Sequence, residues 1–191
     1  MKKFRLLSVV LVMMLVVSPL LVSCQHTQKQ APVPTFNAHV QKVEISGIRN
    51  FSRAGVEAGF GGATQPSAMN WLKNDGFVSV INLRLESEED VELDASRAAA
   101  KKAGLKYIHL PLDSDNVDPK IIDDILKAVG YETNNPVYVH CASATRAAAL
   151  WMIKRVTVDG WDIDKASDEA GAIAERPDAA IAFATQYIAS Q

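Results

Sequence analysis

The stretch "VYVHCASATRAAALW", residues 137–151, decides the fold. Its first residues have the β-branched, apolar character of a buried strand, and residues 145–156 have the alanine-rich pattern of a helix. Between these two segments lie Cys141, four small residues and Arg146. The stretch therefore predicts a strand–loop–helix unit, whose loop is either a packing joint or a loop that holds an anion.

Strand-like and helix-like segments alternate along the rest of the chain. Predicted strands are 40–46, 77–83 and 106–112; predicted helices are 68–76, 88–104, 119–130 and two within 162–190 that are broken near Pro177; residues 60–67 are predicted as a loop. This alternation predicts an α/β fold with a central, largely parallel sheet flanked by helices.

Length and composition limit the function. A chain of 191 residues with 48% hydrophobic residues predicts one domain with a sizeable core. Its formal net charge of −2 provides no basic excess for nucleic acid, so no nucleic-acid partner is expected.

The N-terminus has the order of a secretory signal. Lys2, Lys3 and Arg5 precede an apolar run, and "LVSC" ends at Cys24. This ending resembles the bacterial lipobox, which predicts a lipoprotein signal peptide over 1–23 and lipidation of Cys24. An uncleaved transmembrane anchor is the alternative, but residues 6–22 are at the short limit for crossing a bilayer and leave the cysteine's position unexplained.

The remaining chain divides into a flexible tether over 24–38, which is polar and contains proline, and a folded domain over 39–191. Removing residues 1–23 takes away three positive charges and no negative ones, so the formal charge falls from −2 to −5. We expect a lipid-anchored domain on the periplasmic side of the cell envelope. Gln25 favours the outer membrane, because the resembled lipoproteins use an aspartate after the lipidated cysteine as their inner-membrane retention signal.

Lipidation of Cys24 would leave Cys141 unpaired in an oxidising compartment, where cysteines usually form disulfides. A buried cysteine that only packs is the common alternative. In parallel α/β sheets, however, ligands bind outside the carboxyl ends of the strands, where Cys141 is predicted to lie. Loop amides, the following helix N-terminus and His140 should lower the thiol pKa, and Arg146 could bind two oxygens of an oxyanion.

Three elements carry a family resemblance: "GGATQPSAMNWLKNDGFVSVINLR", "YIHLPLD" and "VYVHCASATR". They resemble the bacterial protein tyrosine phosphatase-like, dual-specificity phosphatase-like family related to the beta-lactamase hydrolase-like proteins. The resemblance covers roughly residues 50–160 and implies a protein tyrosine phosphatase-like fold with the catalytic loop between a strand and a helix. It also implies an enzyme that hydrolyses phosphomonoesters of a protein or a small molecule, and the N-terminal signal adds the expectation that this enzyme is exported.

The resemblance implies that the Cys141 thiolate attacks phosphorus while Arg146 stabilises the developing charge. The implied substrate-binding residues are His140, Ala142, Ser143, Ala144, Thr145 and Arg84. A general acid is expected on the loop "PLDSDNVD", where Asp113 is the first candidate and Asp115 the second, and Asp118 lies closer to the cysteine. Any of the three could instead be a solvated acid or, for Asp118, a helix cap. Arg84 could instead form an ion pair with a nearby glutamate: Glu86, Glu88 or Glu89.

Three features of the cysteine loop differ from those usual in phosphatases and should affect the rate of turnover. Four residues separate Cys141 from Arg146, whereas the main tyrosine phosphatases have five. Ala144 occupies a usual glycine position, which would cost on the order of 1 kcal/mol if that residue needs a positive φ. Ala147 occupies the position of a hydroxyl that helps expel the thiolate, so the second chemical step should be the more affected.

Two other functions fit the same loop. A rhodanese-like sulfurtransferase would carry a persulfide on Cys141, and a catalytically weak pseudophosphatase would bind an anion without turnover. No cofactor or metal is expected in any of these readings. The expected partners are a phosphorylated substrate and, through the lipid anchor, a membrane.

Overall fold

The computed structural model describes residues 40–191, and in them a single mixed sheet carries helices on both faces. The predicted signal peptide, Cys24 and the tether fall outside the described residues. The strands are β1 (Val40–Lys42), β2 (Ser52–Ala54), β3 (Ala58–Gly61), β4 (Ser79–Asn82), β5 (Lys106–His109) and β6 (Val137–His140). The helices are α1 (Met69–Asn74), α2 (Leu93–Ala103), α3 (Pro119–Gly130), α4 (Thr145–Thr157), α5 (Ile163–Ile173) and α6 (Pro177–Ala189).

The strand order is β1-β2-β3-β6-β4-β5. β6 pairs in parallel with both β3 and β4, and β4 pairs in parallel with β5, whereas β1, β2 and β3 form an antiparallel edge. The predicted α/β class, with a central sheet flanked by helices, is confirmed. Because β6 is central, the loop after it begins between two neighbouring strand ends.

The antiparallel edge corrects the sequence prediction. β2 was not predicted, and residues 60 and 61 belong to β3 rather than to a loop. β3 was not predicted because Gly59 and Gly61 have no side chains and so leave no apolar pattern to recognise. Packing requires both glycines: a Cβ at Gly59 would lie 2.4 Å from Phe77, and one at Gly61 would lie 1.9 Å from the hydroxyl of Tyr138.

The two faces of the sheet are buried by different helices. Val80 of β4 and Tyr138 of β6 pack in the cluster that contains residues of α1 and α2, whereas Ile81 and Val139 pack in the cluster that contains residues of α3, α4, α5 and α6. Strands covered on both faces are typical of parallel α/β sheets. Among the described residues, no helix is long and apolar enough to cross a membrane.

The predicted helix over 88–104 begins five residues later, at Leu93. Residues 86–90 instead form turns and a bend, and the Glu88 carboxylate accepts a hydrogen bond from the backbone N–H of Leu85 at 2.9 Å. That local bond competes with helix formation and directs the Glu88 side chain towards two arginines, which are described below.

Candidate active site

The loop that follows β6 is fixed against the end of β3. The N–H of Cys141 donates to the carbonyl of Gly61 at 3.1 Å, and the N–H of Ala63 donates to the carbonyl of Ala142 at 2.9 Å. A Cβ at Gly62 would lie 2.7 Å from that Ala142 oxygen, so only glycine permits this approach. Gly61 and Gly62 thereby hold the loop that contains Cys141 in place.

Ala144 has a φ of 66°, in the left-handed region, and stands immediately before α4. A Cβ is disfavoured in this conformation, because it approaches the following carbonyl oxygen. The loop therefore contains local strain at the position where glycine was expected. Ala147, one residue after Arg146, is 1% exposed and packs in the apolar core.

Replacing Ala144 by glycine should raise the free energy of unfolding by about 0.5–1 kcal/mol, because relief of the left-handed strain outweighs the loss of one buried methyl group. Urea unfolding followed by circular dichroism measures this difference. Ala142→Gly is the matched control, since Ala142 has no positive φ and its replacement should lower stability. A loss of stability in Ala144→Gly would contradict the strain.

A cleft of about 450 Å³ opens above this loop. Its lining combines loop residues, acids and one end of α6: Leu85, Glu88, Asp113, Ser114, Asp115, Ala142, Ser143, Thr145, Arg146, Ala149, Arg176, Ala179, Ala180 and Phe183. Cys141 is 1% exposed and lies in the apolar core cluster at the start of the loop. The Ser143 and Thr145 hydroxyls are hydrogen-bonded to each other at 3.0 Å.

Arg146 is oriented by groups from two segments, the one between β4 and α2 and the one between β5 and α3. Its Nη1 donates to the carbonyl oxygens of Leu112, at 2.9 Å, and Leu83, at 3.3 Å, and its Nη2 lies 2.7 Å from Oε1 of Glu88. These contacts occupy three of the five N–H donors of a guanidinium, which leaves two for an oxyanion in the cleft. The tertiary structure therefore holds Arg146 in place before any ligand binds.

Glu88 joins two arginines. One oxygen contacts Arg146 and the other accepts from Nε of Arg84 at 3.1 Å. Burial raises the pKa of the Glu88 carboxyl, but hydrogen bonds from the N–H of Leu85 and from the two arginines outweigh it, so the pKa lies below its usual value. Glu88 is therefore ionised at neutral pH and positions Arg146.

Glu88→Gln should lower kcat/KM for an aryl phosphate by about tenfold, because Arg146 loses the charged partner that orients it. Inhibition by inorganic phosphate should weaken in parallel, which a purely structural role would not require. The control is Glu89→Gln, since Glu89 is an exposed neighbour that contacts Arg84 only through its backbone carbonyl. Equal phosphate affinity in Glu88→Gln and the native protein would refute the positioning role.

Two of the three candidate acids line the cleft. Asp113 is half-buried and Asp115 is exposed, and Oδ1 of Asp113 accepts a hydrogen bond from the N–H of Asp115 at 3.0 Å. Asp118 caps α3 instead, because its Oδ1 accepts from the N–H of Lys120 at 2.9 Å. The structure thus places Asp113 and Asp115 on the same cleft as Arg146 and separates Asp118 from them.

His140, which was predicted to bind substrate, is buried beside Tyr138 and does not line the cleft. Burial, together with the nearby charge of Arg84, lowers the pKa of His140 to about 3. The imidazole is neutral at neutral pH, so it contributes no positive charge that could stabilise a thiolate at Cys141.

Arg84, which was also predicted to bind substrate, does not line this cleft. Its guanidinium donates to Glu88 and to the carbonyls of Glu89 and Asp90, and it borders a separate cleft with Gln65. The alternative interpretation, an ion pair with a nearby glutamate, describes this geometry. Arg84 is connected to Arg146 through Glu88.

Several residues of the cleft lining were missed by sequence analysis, and three of them matter for binding: Glu88 as a partner of Arg146, Arg176 and Phe183. For Arg176 the sequence offered a signal, because it is the N-cap of α6, where the helix dipole disfavours a cation. For Glu88 and Phe183 we find no signal in the sequence alone. Among residues 40–191, no group of three His, Cys, Asp or Glu side chains is placed to hold a metal ion.

A relative from Xylella fastidiosa (strain Temecula1 / ATCC 700964), a beta-lactamase hydrolase-like protein, is 38% identical over 87 residues. The match covers 44% of this chain but spans only a fifth of the length of that relative.

Solved structures share the fold at lower identity. TpbA of P. aeruginosa superposes with a TM-score of 0.63 at 21% identity, over 82% of this chain and 92% of TpbA. A TpbA variant in complex with pTyr gives 0.62 at 20% identity, over 78% and 90% of the two chains. The core catalytic domain of the PP-IP phosphatase SIW14 from S. cerevisiae gives 0.59 at 18% identity, over 77% and 94%.

A family model described as "Beta-lactamase hydrolase-like protein, phosphatase-like domain" matches residues 60–158, which include the end of β3, the cysteine loop and α4. This match confirms the suspected family, and its description as a phosphatase-like domain agrees with the predicted enzyme class. The chain belongs to the phosphatase-like domain family of the beta-lactamase hydrolase-like proteins.

Proposed function

We propose that this protein is an exported, cysteine-dependent phosphatase that hydrolyses phosphomonoesters through a cysteinyl-phosphate intermediate. The observation that carries the proposal is the cleft itself. It brings the loop after Cys141, the fixed guanidinium of Arg146 and the two candidate acids, Asp113 and Asp115, to one place.

In the first step, the Cys141 thiolate attacks phosphorus and forms the S–P bond while the ester P–O bond breaks. Asp113, or else Asp115, donates a proton to the leaving oxygen. Arg146 and the loop amides stabilise the charge on the phosphoryl oxygens. In the second step, water attacks phosphorus, the same aspartate accepts its proton, and the thiolate leaves.

We propose a tyrosine or dual-specificity type of substrate preference. Support comes from TpbA, whose fold this chain shares and whose variant was crystallised with pTyr. A half-open cleft lined by Phe183 and Ala179 has space for an aryl or alkyl leaving group next to the loop. The substrate is a phosphorylated protein or small molecule.

The test is hydrolysis of p-nitrophenyl phosphate under reducing conditions by the native protein, Cys141→Ser, Asp113→Asn and Asp115→Asn. We expect no turnover in Cys141→Ser. Of the two aspartate variants, the one that replaces the general acid should lose about 10²–10³-fold in kcat. Because Ala147 provides no hydroxyl to assist the second step, the native protein should release a burst of nitrophenol before its steady rate.

Other outcomes separate the alternatives. Native activity no higher than that of Cys141→Ser would refute the phosphatase proposal. Sulfur transfer from thiosulfate with a persulfide on Cys141 would favour the sulfurtransferase, and phosphate binding without either reaction would favour the pseudophosphatase.

We also propose that Cys24 carries a lipid and anchors the domain on the periplasmic side of the envelope, with the outer membrane favoured by Gln25. The support is the charged, apolar and "LVSC" order of residues 1–24. Labelling with a radioactive fatty acid should mark the native protein and not Cys24→Ala. Retention of the label in Cys24→Ala would refute the anchor.

A further inference from the structure

The cleft contains one arginine that the chemistry above does not use. Arg176 lines it together with Arg146, and it comes from the start of α6, whereas Arg146 comes from the start of α4. The acidic residues of the same lining are Glu88, Asp113 and Asp115. Arg176 therefore faces the space that a leaving group would occupy beside the loop.

Arg176 differs from the other arginines of residues 40–191 in having no acidic partner. Six of these seven arginines form a salt bridge with a carboxylate: Arg49, Arg53, Arg84, Arg97, Arg146 and Arg155. Arg176 forms neither a salt bridge nor a side-chain hydrogen bond in the described part of the chain. Its full charge is therefore available to a ligand, whereas that of Arg146 is shared with Glu88.

The backbone next to Arg176 is held by hydrogen bonds from residues near the beginning of the folded domain. The carboxylate of Glu175 accepts a hydrogen bond from Nε of Arg49 at 2.7 Å, and the carbonyl of Ile173 accepts one from Nδ2 of Asn50 at 3.0 Å. Both contacts join residues more than a hundred positions apart. They fix the segment before α6, and hence the origin of the Arg176 side chain, at the rim of the cleft.

We propose that Arg176 binds a second anionic group of the substrate, so that the preferred substrates are phosphomonoesters whose leaving group carries a further negative charge. This inference rests on the proposed function for its chemistry. Arg146 and the loop hold the phosphoryl group, and Arg176 holds a carboxylate or a second phosphate of the leaving group. Arg176 also offsets the repulsion between such a group and the acids Asp113 and Asp115.

The experiment measures binding in full-length Cys141→Ser protein, which cannot turn the ligands over. Calorimetry compares phenyl phosphate with 3-carboxyphenyl phosphate and 4-carboxyphenyl phosphate. At least one carboxylated ligand should bind about fivefold more tightly than phenyl phosphate, as a charge-assisted hydrogen bond in a half-open site provides. Adding Arg176→Gln should remove this advantage, and raising the salt concentration should reduce it.

Arg97→Gln is the matched control, because it removes the same charge from an exposed arginine on α2 outside this cleft. The advantage of the carboxylated ligand should survive in it. The inference is overturned if neither carboxylated ligand binds more tightly than phenyl phosphate, if the advantage persists in Arg176→Gln, or if no ligand binds at all.

Turnover by protein that retains Cys141 distinguishes the two proposals. Hydrolysis of phenyl phosphate without any effect of Arg176→Gln on ligand preference refutes the inference and leaves the phosphatase intact. Absence of hydrolysis, with the charge preference still present in binding, refutes the phosphatase and leaves Arg176 as part of a site for a doubly anionic ligand.

Discussion

Arg146→Lys should lower kcat/KM for p-nitrophenyl phosphate by about 10²–10³-fold. Lysine keeps the positive charge but lacks the planar fork that contacts two carbonyl oxygens, Glu88 and an oxyanion at the same time. The carbonyls of Leu83 and Leu112 fix Arg146 from the ends of two segments, and a single ammonium group cannot replace that arrangement. Steady-state kinetics with a thermal unfolding curve separates lost catalysis from lost folding.

The control for this change is Arg97→Lys, an exposed arginine whose contact is with Asp94 on the same helix. It should leave both kcat/KM and the unfolding temperature unchanged. If Arg146→Lys retained activity within threefold of the native protein, the two free guanidinium donors would not be the groups that bind the phosphoryl oxygens.

Gly61→Ala should destabilise the protein by about 3 kcal/mol, because β3 and β6 have no space for a side chain at this position. The added Cβ would lie 1.9 Å from the hydroxyl of Tyr138 and 2.9 Å from a methyl group of Ile48. Tyr138 is fully buried and its hydroxyl is hydrogen-bonded to Thr64 at 2.8 Å, so it has no free volume into which it can move. The unfolding temperature should fall by roughly 10 °C.

Gly130→Ala provides the comparison, since Gly130 ends α3 and no atom lies within 4 Å of an added Cβ. That variant should gain about 0.5–1 kcal/mol from the higher helix propensity of alanine. An unfolding free energy of Gly61→Ala within 0.5 kcal/mol of the native value would show that the sheet accommodates the methyl group. Activity should fall with stability, because the Gly61 carbonyl also accepts from the N–H of Cys141.

Much of the fold was predictable because its central strands and helices have strong local patterns. β4 and β6 lie within stretches rich in β-branched and apolar residues, α3 has proline at its first position, and α2 ends at Gly104. β1 was predicted over 40–46 but ends at Lys42, and β2 was missed, because three residues are too few for a pattern to define a strand. The start of α2 was misplaced because Glu88 bonds to Leu85 and two arginines, and one of these arginines lies far away in sequence.

The residues of the candidate site also divide into those that local sequence indicates and those that only packing brings to the cleft. Cys141, Arg146 and the expectation of a strained residue at Ala144 came from one continuous loop. Arg176 lies thirty positions beyond Arg146, and its place on the cleft follows from the packing of α6 and the contacts of Arg49 and Asn50. His140, in contrast, is adjacent to Cys141 in sequence, but its burial keeps the imidazole neutral, which the sequence alone did not indicate.

The sequence by itself determined the strand–loop–helix unit, the family resemblance, and the residue types available for phosphoryl transfer, because these depend on short-range order along the chain. The tertiary structure alone decided which carboxylate orients Arg146, which aspartates share its cleft, that His140 is neutral and that Arg176 has no acidic partner among residues 40–191. These properties depend on distances between segments and on the exclusion of water, and both arise only when the sheet and its helices pack together.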